Sequence, residues 1–382
     1  MAIRVHEKQV AMNQSSLARL DSAQIIELSR PDDLFRNVYG ALGVTVDASD
    51  MEAVLRRVDA AAERAEPFHI STVNLNWLII SQSDETFREF LSVSDLSTAD
   101  SITVVWLARL LGASIKQRVT GADIFEAFKS KRDPTNPLKV FLLGGLEGVA
   151  AKAHRSLNAE ADGIESTGFL SPGFGSVDEL SANSIIDAIN SSNAHFLVAA
   201  MGAKKGQTWL HKNQHRIQIP IRAHLGATMN FQAGTVKRAP LWIQQWGFEW
   251  LWRIKEEPHL WRRYWHDGKV LLRLLLTRII PFVVLTNWYR PTHKGKELRI
   301  ERADDQKSVI LNVSGAAHFE NVGQAALFFK DAVAAAKDVV INFAGTSVID
   351  ARFIGLLLML DKQLKSEQHK LALTGMSSQV RR

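Results

Sequence analysis

The sequence predicts an α/β protein: a Rossmann-like, mostly parallel sheet, then a helical Trp/Arg-rich appendage, then a small C-terminal α/β module. Three observations carry that prediction. Strand, glycine turn and helix succeed one another repeatedly between residues 139 and 236. A basic window from Lys237 to Ile300 holds thirteen Lys/Arg against five Asp/Glu, and seven of the chain's ten tryptophans. After a polar stretch at 290–297 a new alternation of strands and helices begins, with its own apolar core positions. The expected division is an irregular segment 1–35, a main domain 36–236, the appendage 237–291 and the small module 292–382.

A chain of 382 residues is long enough for two or three domains with proper cores. It has no cysteine, which excludes disulfides and thiolate metal sites. Its first residues, MAIRVHEKQVAMNQ, contain no apolar run of the secretory kind. The net charge is +6; since the basic window contributes +8, the remainder carries −2. So placed, the charge calls for an anionic partner such as a lipid headgroup, a nucleic acid or a phosphate-bearing ligand.

Taken in order, Asp47–Glu66 reads as a helix with Asp50 as N-cap, and Phe68–Val73 as a strand. LNWLIISQSDETFREFL reads as one helix, followed by a loop that ends at Asp100. SITVVWLARLLG is a helix closed by Gly112; Asp100 is either its N-cap, the favoured assignment, or a carboxylate displayed at its positive end. A further helix starts near Thr120 or Asp123. KVFLL is a buried strand entering Gly144, Gly145 and Gly148 and the helix VAAKAHRSL, a tight βα turn without the GxGxxG spacing of dinucleotide sites. HFLVAAMG, the loop AKKGQ and the helix TWLHKNQHRI repeat the pattern, and a strand at 220–225 leads through Gly226 to the loop FQAGTVKRAP.

Pro240 suits a helix start and Pro258 a stop, so one helix is expected between them. Its stripe of Trp242, Trp246 and Trp250 would either pack in a core or face a membrane surface. VLLRLLLTRIIPFVVLTNW is long, yet Arg273 and Arg278 each cost about 2.5–3.5 kcal/mol in a bilayer and Pro281 interrupts it; an interfacial or packed amphipathic helix is expected. The order strand, strand, helix, strand, helix, strand is expected beyond residue 297. His224 reads as a packed core histidine rather than a catalyst. Asn74 either caps the next helix or touches a sugar, and Lys204 and Lys205 are either solvated or near phosphate.

No Asp-x-Asp pair, HExxH or GxxxxGK[ST] occurs. A diphosphate bound here would therefore be met by arginines, backbone N–H groups and helix N-termini. With that in view, Thr72-Val-Asn74, ADSITVVWLARLLG, QRVTGAD, VFLLGG, VAAMGAKKGQTW and above all FQAGTVKRAP with EWLWRIKEEPHLWRRY resemble the WecG/TagA/CpsF glycosyltransferases, family 26, over residues 35–265. The resemblance implies a GT-E type α/β fold and inverting, metal-independent transfer. The sugar, of N-acetylmannosamine type or another hexose, would pass from a UDP-sugar to a polyprenyl-diphosphate-linked acceptor. It further implies Asp100 as general base with Thr72 nearby. Asn74, Gly144, Gly145, Lys205, Asn230, Arg238, Arg118, Arg253 and Arg263 (or its neighbour Arg262) would bind substrate. No cofactor, metal or nucleic acid is implied. The expected location is cytoplasmic, peripheral on the inner face of the cell membrane, in cell-surface polysaccharide synthesis.

The chain departs from the family pattern at Ala99-Asp100-Ser101, at Lys204-Lys205-Gly206-Gln207 and at Gly226-Ala227-Thr228-Met229-Asn230-Phe231, and is one residue short at EPHLWRRY. The last module resembles a STAS domain through VVINFAGTSVIDARFIGLLLML, with Asp350-Ala351-Arg352-Phe353 where antagonists read Asp-Ser-Ser-Gly. Lacking the hydroxyl, it is expected to dock a protein partner without a phosphorylation switch there. The other reading of the whole is a non-catalytic membrane scaffold that recruits partners through this module.

Overall fold

The computed structural model describes residues 32–160, 162–293 and 297–376. The expectation for 1–35 thus lies almost wholly outside the described residues, which begin just before a 3-10 turn at Asp33–Phe35. Strands β1 (Val38–Ala41) and β2 (Val44–Asp47) form an antiparallel hairpin, and helix α1 (Met51–Arg64) follows with Asp50 accepting from Ala53 N at 2.9 Å. Next come β3 (Phe68–Val73), α2 (Leu75–Ser83), α3 (Glu85–Ser92), β4 (Leu96–Ala99), α4 (Ile102–Leu110) and α5 (Gly121–Lys131). The sheet continues with β5 (Leu138–Gly144), α6 (Val149–Glu160), β6 (Ile164–Leu170), α7 (Asn183–Asn190), β7 (Phe196–Ala200), α8 (Ala203–Lys212), β8 (Ile221–His224) and α9 (Gly226–Gln232).

Six of these strands form one sheet in the order β4-β3-β8-β7-β5-β6, every neighbouring pair parallel. Along β5 successive side chains enter opposite cores: Val140 and Leu142 join one apolar cluster, Phe141 and Leu143 the other. Both faces are therefore covered, as continuous apolar strands require. From β3 the chain moves outward to β4, and from β5 to the opposite edge at β6. That reversal opens a crevice at the carboxyl ends of the strands.

Several expected elements are corrected. The helix expected over 75–91 breaks at Asp84, which instead caps α3 by accepting from Phe87 N at 2.9 Å. β4 replaces the expected loop before Asp100; its four residues, LSTA, carry too little apolar pattern to declare a strand. β6 and α7 fill a stretch for which nothing was expected. AKKGQ is not a loop but the first turns of α8.

The appendage consists of α10 (Leu241–Gln245), α11 (Glu249–Glu256), α12 (Trp261–Leu274) and α13 (Ile280–His293). The single helix expected between Pro240 and Pro258 is broken at Gly247, whose φ of +78° is closed to other residues without strain. Pro281 does not interrupt the later helix: a π-helical stretch at Leu275–Ile279 precedes it and carries the chain from α12 into α13. Among the described residues no helix is long and apolar enough to cross a membrane.

The last domain has β9 (Arg299–Asp304), β10 (Ser308–Ala317), α14 (Val322–Ala334), β11 (Asp338–Ile349), α15 (Ala351–Ser366) and β12 (Leu371–Thr374), as expected. Its sheet runs β12-β11-β10-β9, with β9 antiparallel. Phe282 and Leu285 of α13 approach β11, β12 and α15, leaving a cavity of about 370 Å³ between them. Leu34 and Val38, before and on β1, belong to the core of this domain, whereas Ala351 belongs to the core on the other side. The two domains interlock.

Candidate active site

Asp100 leaves the end of β4 half-buried, with its N–H bonded to Val73 O at 2.8 Å. It does not cap α4. Ser101 does, its Oγ accepting from Val104 N at 3.3 Å, and this frees the neighbouring carboxylate to face the crevice. Asp100 Oδ1 accepts from Gly121 N at 3.1 Å, at the start of α5. A Cβ on residue 121 would lie 2.3 Å from Leu225 Cδ2 and 3.4 Å from Thr72 Cγ2, so a larger residue there would displace the Leu225 side chain packed against this turn. Thr72, buried on β3 opposite Thr98 of β4, thus lies beside the same turn.

Burial pushes the Asp100 carboxyl up to about 6. The Gly121 N–H and Arg118 oppose that rise, while Glu249 and Asp123 add to it. A carboxylate so placed is ionised at neutral pH yet basic enough to take a proton.

Around it a charged cluster joins sheet and appendage. Arg118 Nη1 donates to Glu249 Oε2 at 2.5 Å, and Arg238 donates to Asp123, which also closes the capping box of α5 with Thr120. Arg253, one turn beyond Glu249 on α11, pairs with Glu257 at 2.5 Å and lies 5.6 Å from the ring centre of Phe231 on α9. Arg118, Arg238 and Arg253 therefore converge on one side of the molecule. A cavity of about 710 Å³ opens beside Arg238, lined also by Lys129, Glu160, Thr228 and Phe231.

The other expected residues divide. Asn74 is the cap of α2, accepting from Trp77 N at 3.2 Å. Gly144 and Gly145, both at positive φ, make the turn after β5, and Gly145 N donates to Ala200 O at 2.7 Å. Asn230 is half-buried on α9, and its carbonyl accepts from Thr235 N at 3.1 Å. Lys205 is spent on Gly175 O at 2.8 Å and Lys204 on Asp84 at 2.7 Å, so neither side chain is free of a protein partner. Arg263 stays on the exposed side of α12, 5.0 Å from the Tyr264 ring centre. Gln207 is buried against His69 at 2.9 Å. His224 is a packed histidine as expected, held neutral by burial that lowers its pKa to about 4, with its ring edge filling the space that Gly206 leaves.

Two participants were not expected, Glu249 and Asp123. Glu249 is the sole acid between Lys237 and Arg253, and an isolated carboxylate in so basic a stretch was the available signal.

Together these features define a class: a Rossmann-like α/β protein with a carboxylate of raised pKa and a group of arginines at the carboxyl edge of its sheet. The chain belongs to the glycosyl transferase WecG/TagA/CpsF family, whose sequence profile matches residues 39–282, and residues 298–382 match the STAS domain. Similar proteins include the N-acetylglucosaminyldiphosphoundecaprenol N-acetyl-beta-D-mannosaminyltransferases of Bacillus spizizenii and Bacillus subtilis. The first is 28% identical over 177 residues, covering 46% of this chain and 66% of the relative, just under two thirds of its length. The second is 27% identical over 206 residues, covering 54% and 78%. A STAS domain antisigma-factor antagonist from Rhodobacter sphaeroides aligns at 22% identity with a TM-score of 0.19, over 23% of this chain and 98% of its own.

Proposed function

We propose that the protein is an inverting glycosyltransferase that moves an N-acetylmannosamine-type sugar from UDP to a saccharide on polyprenyl diphosphate, without a metal. The observation that carries this reading is Asp100, ionised at neutral pH and basic, held by Gly121 N–H and facing the arginine cluster. In a single displacement Asp100 takes the proton of the acceptor hydroxyl as its oxygen bonds to the anomeric carbon. The bond from that carbon to the UDP oxygen breaks on the opposite face, and the electron pair leaves with the diphosphate. Arg118, Arg238 and Arg253 are the groups available to meet that charge, each by exchanging its carboxylate partner (Glu249, Asp123 and Glu257 in turn) for the phosphate.

The acceptor class follows the activity for which the similar Bacillus enzymes are named. The exposed Trp242, Trp246, Trp250, Trp261 and Trp265, interleaved with Arg and Lys, support a seat on the inner membrane surface where such an acceptor resides.

The test is to incubate the full chain, in EDTA, with UDP-N-acetylmannosamine and N-acetylglucosaminyl-diphosphoundecaprenol. UDP release with a β-linked disaccharide lipid is expected, and Asp100→Asn should abolish it while the protein stays folded. Absence of UDP release from every UDP- or GDP-sugar tried, with no thermal shift from any of them, would overturn the reading in favour of a non-catalytic scaffold.

A further inference from the structure

We infer that the STAS-like domain acts in cis as a positioning element for the catalytic strand: α15 docks on the β1–β2 hairpin and, through Lys362, Arg36 and Asp47, fixes β4. This rests on the reading of Asp100 as the base.

β4 is the edge strand of the main sheet and only four residues long, so one side of it lacks a strand partner. The hairpin takes that place. Ser97 N of β4 donates to Asp47 Oδ2 at 2.7 Å, and the Ser97 hydroxyl lies 3.2 Å from that of Thr45. A carboxylate therefore satisfies an edge N–H three residues before Asp100. Burial alone would raise the Asp47 carboxyl, but Arg36 and Arg57 hold it below the usual range, hence ionised. Arg36 binds both of its oxygens, at 3.3 and 2.7 Å, and also donates to Ser94 O at 3.0 Å, just ahead of β4.

The STAS-like domain closes this network from outside. Arg36 Nη1 lies 3.3 Å from Met359 Sδ on α15. Arg352 donates to Val38 O at 3.1 Å and to Arg36 O at 2.9 Å. Lys362 reaches Asp95 at 2.9 Å and Asp33 at 2.8 Å, and Asp95 in turn accepts from His69 N of β3 at 2.9 Å. The approach is close: a Cβ on Gly355 would sit 2.2 Å from Val38 O, and one on Gly40 would sit 2.4 Å from Ile354 Cγ2. This face of α15 is thus occupied by the chain's own N-terminal domain.

Gly355→Ala tests the docking, because alanine favours the helix itself and obstructs only the contact with β1. Lys362→Met removes the charge pairs, and Lys362→Arg should restore them. Hydrogen exchange on the full chain reads the result without any need for turnover. In Gly355→Ala and Lys362→Met, amides of 94–100 should exchange about tenfold faster or more, with β5 unchanged and Lys362→Arg near wild type. If exchange in 94–100 is unaltered while that of β1 rises, the docking does not reach β4. If β5 rises equally, the variants act by general loosening. Either result overturns the inference. In the transfer assay kcat should fall with the donor KM unchanged. Should the wild type itself transfer nothing, the functional reading fails, while the exchange data still decide the positioning role.

Discussion

At the scale of single residues, what keeps Asp100 from capping the helix is the next side chain. Ser101 takes the cap, so Asp100 is left half-buried with one backbone donor. The consequence for activity is a rate that falls as pH drops through about 6, where an ordinary carboxylate would hold out to about 4; a pH profile of kcat/KM checks it. Glu249→Gln removes a neighbouring negative charge and should move that limb to lower pH. The consequence for stability has the opposite sign to damage. A carboxyl whose folded pKa is raised disfavours the fold as pH climbs from its unfolded value near 4 to about 6, and fully so above. Asp100→Asn should therefore abolish transfer while stabilising the protein at pH 7.5 by about 1–3 kcal/mol in urea unfolding. Unchanged or lower stability with intact structure would mean that the carboxylate is better solvated than its surroundings imply. None of this was legible from the sequence alone, which favours the cap; only the family resemblance pointed to Asp100 as base.

At the scale of elements, legibility followed periodicity. The long helices with caps, α1 and α15, and the apolar strands β5, β7 and β11 declared themselves, because each repeats its pattern over enough residues. β4 did not, since four residues of mixed polarity state no period and its pairing is decided by β3 and the hairpin. The tryptophan segment was legible in composition but not in geometry: one glycine at positive φ splits it into two short helices without a buried residue. That exposure rules out the core reading of the Trp stripe. Trp242 and Trp246 are 62% and 72% exposed, so they are not core residues. Replacing both by alanine should change folding stability by no more than about 0.5 kcal/mol, yet weaken sedimentation with anionic vesicles severalfold. Undiminished vesicle binding would overturn the proposed seat of these tryptophans on a membrane.

At the scale of the whole molecule, the boundary expected between 291 and 292 marks a change of domain in the sequence, yet residues of the two domains share cores. Leu34 and Val38 precede the catalytic sheet in the chain and yet are buried in the STAS-like core. Ala351 makes the reverse crossing. No sequence pattern announces such an exchange, because each residue is apolar in either context. The polar boundary is equally shared, for Asp33 lies between Arg36 and Lys362, one cation from each half, and Arg36 also pairs with Asp47, which Arg57 holds from its other side. For both carboxyls burial is outweighed by those cations, which hold the folded pKa below the unfolded value. Their stabilising effect is present above about pH 4 and is lost as pH falls through the lowered folded values. At pH 7, calorimetry of the full chain should show one cooperative transition, and removal of 297–382 should lower the midpoint by exposing Leu34 and Val38, each contributing about 1.5–3 kcal/mol when buried. Below pH 4 the junction should weaken first and the single transition should divide. Two resolved transitions at pH 7 would show the halves to be independent, and a strand held by one half could not then be positioned by the other.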